Sequence, residues 1–173
     1  NLVELNKRIT EETTNLTNAL KGNSKVQGDW GEMILETILD SSNLVKGIHY
    51  LTQENFKTEY DANVRPDVIL NLPGGKQIVI DSKVSLTAFV SFTEAETEDD
   101  RSRCLKGHIG SVRKHVNELG AKSYQELVDS PDFVIMFVPN EPAFLAALQN
   151  DSAIWADAYN KKVIVSSPTN LFA

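Results

Sequence analysis

Residues 67–83 read Asp-Val-Ile-Leu-Asn-Leu-Pro-Gly-Gly-Lys-Gln-Ile-Val-Ile-Asp-Ser-Lys. Two runs rich in Val, Ile and Leu flank Pro73-Gly74-Gly75, which is turn chemistry. The stretch predicts a β-hairpin with strands near Asp67–Leu72 and Gln77–Lys83. Taking Gly74 as the centre of a three-residue loop sets Asp67 opposite Asp81. Directly opposed residues of an antiparallel pair hold their Cβ atoms about 4.5–5.5 Å apart. Lys83 lies two residues beyond Asp81 and projects from the same face.

Two carboxylates opposed on buried strands repel each other. Such a pair must share a proton, recruit a cation or sit beside a base. Lys83 offsets part of the charge, and a hard divalent cation fits better, because carboxylate oxygens are its preferred ligands. The competing reading is a partly exposed strand end with an ordinary Asp–Lys pair. A slip of one residue would put the two aspartates on opposite faces.

Outward from the hairpin, the pattern predicts a helix over about 27–42, with Trp30, Met33, Ile34, Thr37 and Ile38 as its apolar stripe. A strand follows near His49–Glu54. Downstream come a long helix from about Asp99 to Leu119 that ends near Gly120, a strand over Phe133–Val138, helices near 141–149 and 151–159, and a strand over Lys162–Ser166. Val68 and Leu70 lie on one side of the central strands, Ile69 and Val79 on the other. This implies an α/β fold of order α-β-β-β-α-β, a sheet covered by helices on both faces. Residues 1–22 read as the end of a coiled-coil-like helix: Leu2, Ile9 and Leu16 repeat every seven residues, and Leu5, Glu12 and Ala19 fill the second seam. Gly22-Asn23-Ser24 breaks it.

The chain has 173 residues, 41% hydrophobic and 24% charged, which suits one soluble domain over residues 25–173. It starts at Asn1 rather than Met and stops in Leu171-Phe172-Ala173, so it reads as a fragment truncated at its C-terminus. No run approaches the length of a membrane span. The single Cys104 cannot form an internal disulfide, which fits a cytoplasmic compartment, and it reads as a plain helix residue. A formal net charge of −7 argues against a general nucleic-acid coat protein, but carboxylates that bind cations would make the bare count too negative. Arg101, Arg103, Lys106, Arg113 and Lys114 follow an acidic run, Glu94 to Asp100. Arg101, Arg103 and Lys106 are candidate DNA-backbone contacts; the alternative is a solvated face that balances the acids before it.

Arg65-Pro66-Asp67 followed by Ile80-Asp81-Ser82-Lys83 resembles the PD-(D/E)xK motif of restriction-endonuclease-like nucleases. With Gly28-Asp29-Trp30-Gly31-Glu32, the Tyr50–Gln53 segment and Met136-Phe137-Val138-Pro139-Asn140-Glu141, it resembles the RmuC family of bacterial DNA recombination proteins over roughly residues 25–173. The resemblance implies a restriction-endonuclease-like core with a mixed sheet and a role in limiting DNA rearrangement. It implies that Asp67 and Asp81 hold Mg²⁺ (or Mn²⁺), that Lys83 is catalytic and that Glu32 stands beside the metal. One departure is Asn140, where an apolar residue is expected before Glu141.

The reaction so implied is phosphodiester hydrolysis of DNA. The Ser82 carbonyl is a further candidate ligand, and Lys83 would position or deprotonate a water or contact the phosphate. Glu32 reads either as part of this shell or as one member of a solvated face with Asp29 and Glu36. Arg65 reads as a phosphate contact or as a partner of Asp67 or Asp61. Trp30 reads as a core anchor. His108 and His115 are seven apart on one helix and read as exposed, not as a metal pair. The alternative function is a catalytically silent DNA-binding or scaffolding module, tethered or oligomerised by its coiled coil, whose full-length protein is membrane-anchored upstream or wholly cytoplasmic.

Overall fold

The computed structural model describes residues 3–5, 7–8, 11, 23–53, 66–82, 85–122, 124 and 133–172. Of the expected N-terminal helix, Val3–Leu5, Lys7, Arg8 and Glu11 are described and helical. The seam residues Leu2, Ile9, Glu12, Leu16 and Ala19 lie outside the described residues, as do Arg65 and Lys83.

Helix α1 (Ser24–Ser41) starts where Asn23 caps it: the Asn23 Oδ1 accepts the Val26 N–H at 3.2 Å. Its buried face is Trp30, Ile34, Leu35, Ile38 and Leu39. Met33, expected in the stripe, is 53% exposed. At about 100° per residue the buried residues cover the arc from Trp30 round to Leu39, and Met33 falls about 60° outside its Trp30 edge, so the stripe is rotated from the expected one.

Five strands form one sheet in the order β1 (Tyr50–Thr52), β2 (Val68–Asn71), β3 (Gln77–Asp81), β4 (Val134–Phe137) and β5 (Val163–Ser166). β1–β2 and β2–β3 are antiparallel, while β3–β4 and β4–β5 are parallel, so the sheet is mixed. The hairpin has the register expected from Gly74: Val68 faces Ile80, Ile69 faces Val79, Leu70 faces Ile78 and Asn71 faces Gln77. The bend itself is a 3₁₀ turn over Pro73–Gly75, closed by Leu72 N–H to the Lys76 carbonyl at 2.7 Å. Gly74 (φ 80°) and Gly75 (φ 77°) both adopt left-handed backbone, which the absence of a Cβ permits at little cost.

The remaining helices are α2 (Thr87–Glu94), α3 (Glu98–Lys122), α4 (Glu141–Asn150), α5 (Ile154–Asn160) and α6 (Pro168–Phe172). Short helices α2 and α6 were not expected; α2 buries Phe89 and Val90. Helix α3 was expected to stop near Gly120 but continues two residues further. A Cβ at Gly120 would stand 3.1 Å from the Lys161 Cβ and 3.3 Å from its carbonyl, so this glycine serves a close approach and not a helix end.

Helices cover both faces. Asp81 and Met136 are paired across β3 and β4, and both line a pocket with Leu119 of α3. On the opposite face, the Tyr50 hydroxyl donates to Asp40 of α1 at 2.6 Å. Burial and this carboxylate push the Tyr50 phenol well above its ordinary range. Arg113 fastens α3 to its neighbours: Nε reaches Asp151 Oδ2 and Nη1 reaches Asp157 Oδ2, both at 2.6 Å. The guanidinium holds the Asp151 carboxyl below its usual range. No helix of the described residues is long and apolar enough to cross a membrane.

His108, expected at the surface, is 0% exposed. Its ring packs on Phe89 at 5.3 Å, and its Nε2 donates to the Ala143 carbonyl at 2.7 Å, joining α3 to α4. Burial lowers its pKa, partly opposed by that hydrogen bond. An unfolded histidine titrates near about 6.5. Between that value and the lower folded one, the unfolded chain binds a proton that the folded chain refuses. Stability from this group is therefore complete above about 6.5 and falls as pH drops through that window. Urea midpoints should decrease from pH 7.5 to 5.5, and His108→Gln should shrink the decrease; an unchanged difference would refute the assignment.

Candidate functional site

The C-terminal end of β3 gathers the residues that matter. Continuing the hairpin ladder by one residue sets Asp67 opposite Asp81, and each is 3% exposed. Asp67 is held on both oxygens. Its Oδ2 accepts the Ser82 backbone N–H at 2.9 Å, and its Oδ1 accepts Gln53 Nε2 at 3.0 Å. These two donors offset part of the cost of burying the charge and fix the direction of the carboxylate. Gln53 follows β1 directly, so the Tyr50–Gln53 segment contributes one second-strand support to the aspartate.

Asp81 faces α3. It lines a pocket of about 70 Å³ with Met136, His115, Glu118, Leu119 and Lys122. His115 Nδ1 lies 3.5 Å from Glu118 Oε2, and Lys114 Nζ lies 3.8 Å from Glu118 Oε1. Lys122 donates to the hydroxyl of the fully buried Tyr124 at 3.2 Å. None of these α3 groups was singled out from sequence as part of the site. The available signal was the apolar line Val112, Val116 and Leu119, which marks the sheet-facing side of α3 and leaves His115 and Lys122 on its flank.

Ser82 turns to the other side of the sheet. A Cβ on Gly31 would stand 3.6 Å from the Ser82 carbonyl, 3.7 Å from its Oγ and 3.4 Å from Pro139 Cγ. The absent side chain lets α1 press against the strand end, and it brings the helix that carries Glu32 to the Ser82 carbonyl. Glu32 is half-buried, one residue along from this contact. The loop after Ser82 is tied at its far end by buried Gln27 of α1, whose Oε1 accepts the Leu86 N–H at 3.2 Å and whose Nε2 donates to Thr87 Oγ1 at 3.1 Å. Asn140 occupies the position expected to be apolar because it caps α4: its Oδ1 accepts the Ala143 N–H at 2.8 Å. Glu141 accepts the Thr169 N–H at 3.2 Å and so ties α4 to α6.

Asp67, Asp81 and Ser82 are therefore brought together, with Glu32 on the adjoining helix. Among the described residues, no group of three His, Cys, Asp or Glu side chains is close enough to hold a metal ion. Two buried carboxylates on one face are donors of the type a hard cation such as Mg²⁺ takes, though they are two ligands only. The basic residues of α3 are placed elsewhere. Arg101 stacks on Phe92 at 4.5 Å, and Arg103, about 200° further around the helix, pairs with Asp100 at 2.5 Å. Lys106 is exposed and stands about 18 Å along the axis from Glu118. These three do not converge on the carboxylates.

The family model for the RmuC family matches residues 1–173. This chain belongs to the RmuC family. Curated RmuC relatives include the "DNA recombination protein RmuC homolog" of Neisseria meningitidis serogroup A, 48% identical over 98% of this chain and 30% of the relative. The homolog of Vibrio cholerae is 43% identical over 99% of this chain and 34% of its own length. The "DNA recombination protein RmuC" of Escherichia coli K12 is 42% identical over 99% of this chain and 36% of its own length. The chain thus spans about a third of the RmuC relatives it matches. No solved structure matches it.

The Gly31 contact generates a stability prediction. Gly31→Ala should stay close to wild type, because ordinary contact distances and a better helix former balance. Gly31→Val adds methyl groups with no room against Ser82 and Pro139, and should cost about 1–3 kcal/mol in urea unfolding. Equal midpoints for the two variants would refute the close approach.

Proposed function

We propose that this domain is a Mg²⁺-dependent, restriction-endonuclease-like phosphodiesterase that acts on DNA during recombination. The observation that carries the reading is the pair Asp67 and Asp81, opposed at the buried end of a hairpin, with Asp67 oriented by Gln53 and the Ser82 amide. The element order α1, β1, β2, β3, α3, β4 supports it, as does the mixed pairing of β3. So do relatives named as DNA recombination proteins.

Asp67 and Asp81 would hold the cation, and Glu32 of α1 would join its shell through water. When bound, a hard divalent cation supplies an acidified water and offsets charge developing on the phosphodiester. Lys83 positions or deprotonates the attacking water or contacts a phosphate oxygen. Burial of Asp81 between α3 and the sheet keeps competing water away, which strengthens its interactions with cationic groups. Gln53 keeps Asp67 aimed while the substrate exchanges. Arg65 would contact a phosphate or pair with Asp67 or Asp61, and Arg103 and Lys106 take the backbone of a longer duplex.

A second reading has its own support. The net charge is −7, and Arg103 and Arg113 are already engaged by Asp100, Asp151 and Asp157. A binding or scaffolding module that oligomerises through its N-terminal helix fits that economy of free cations.

Three measurements discriminate. Calorimetric titration with Mg²⁺ should show binding to wild type and at least tenfold weaker binding to Asp81→Asn. Cleavage of duplex, single-stranded and hairpin DNA with Mg²⁺ or Mn²⁺ should drop by about two orders of magnitude or more in Asp81→Asn and Lys83→Ala. Activity that persists in both variants rules the site out, and a wild type that binds DNA without cutting it favours the scaffold. Alanine at Arg103 and Lys106 together should reduce the slope of log affinity against log salt by up to about 2 if both meet phosphates.

A further inference from the structure

We infer that Lys122 is a phosphate-contacting residue of this site, with Tyr124 as the group that positions it. The inference rests on the nuclease reading of Asp81 and adds a cation from the far end of α3. Lys122 lines the same small pocket as Asp81. Among the described residues it pairs with no carboxylate: its ammonium bonds the Tyr124 hydroxyl at 3.2 Å and lies 5.3 Å from that ring's centroid, out beyond the hydroxyl. An ammonium has three N–H donors, and Tyr124 takes one, leaving two for a ligand. Tyr124 is fully buried, so the lysine is anchored to a rigid group and loses little freedom when a ligand arrives.

The neighbouring acid does not claim this lysine. Glu118 is engaged by His115 at 3.5 Å and by Lys114 at 3.8 Å. The pocket volume of about 70 Å³ equals the liquid share of about two waters. That admits phosphate oxygens. A cation in the wall of a space of that size suits a phosphodiester oxygen. The Tyr124 hydroxyl keeps the charge in place without the neutralisation that a salt bridge would bring.

The test reads DNA affinity apart from turnover. Fluorescence anisotropy of a labelled 20-base-pair duplex and of its single strand is followed across a KCl series, with Ca²⁺ in place of Mg²⁺ to occupy the carboxylates. Lys122→Gln should weaken binding several-fold and lower the salt slope by about 0.9 on duplex, as expected for one lost phosphate contact. Lys122→Arg should keep the slope, and Tyr124→Phe should weaken binding with the slope retained. Lys76→Gln, at the opposite end of β3, should match wild type. Far-ultraviolet circular dichroism checks folding, and Lys122→Met substitutes if the glutamine variant unfolds. A slope unchanged in both neutral variants overturns the inference, as does wild-type binding that is insensitive to salt. Cleavage by Asp81→Asn, run alongside, reports on the nuclease reading separately: full activity there sinks that reading whatever Lys122 does.

Discussion

The hydrogen bond from the Ser82 amide to Asp67 Oδ2 governs this structure's working end. It continues the β2–β3 ladder by one rung after the backbone pairing has ended, with a side chain in place of a carbonyl. Because strand side chains alternate, a one-residue slip would exchange the two faces. Asp81 would then turn to α1 and Ser82 to α3. The rung therefore decides which helix meets which residue. Gly74 and Gly75 set the same register from the other end of the hairpin, so β3 is located at both ends by independent means.

How far this arrangement was legible in the sequence depends on the range of the forces involved. The hairpin could be read because its signals are local: two β-branched runs and a bend that tolerates positive φ. The register followed from the bend, and opposition of Asp67 and Asp81 followed from the register. Helix α2 was missed because eight residues with Phe, Val and Thr carry no helical preference of their own, and packing against α3 decides the matter. Gly120 was misread as a stop because Lys161, distant in sequence, is what occupies its missing side chain's place. His108 was misread as exposed because only the fold brings Phe89 and the Ala143 carbonyl to it. Glu118 and Lys122 joined the site by the same route: the crossing of α3 over β3 and β4 has no local signature.

The charge pattern divides in a similar way. From sequence, the basic run after Asp100 looks like one surface. In the fold it separates into Arg101 on an aromatic ring, Arg103 on its own helix's acid, Arg113 bracing two aspartates, and exposed Lys106. Composition counted these residues as equivalent, although one of them is mortar between helices. An acidic protein that meets an anionic partner has to do so through few cations placed well, which shifts weight onto residues near the carboxylates.

The parallel contact of β3 with β4 has one more consequence. About 50 residues separate Asp81 from Val134, and closing so long a segment carries an entropy cost that the tight hairpin escapes. The carboxylate corner is thus a product of neighbouring sequence, while its roof is a product of the whole chain. The two halves have separate tolerances: a lesion in the helix layer can strip the roof and leave the corner standing, but no lesion in the corner leaves the roof anything to cover.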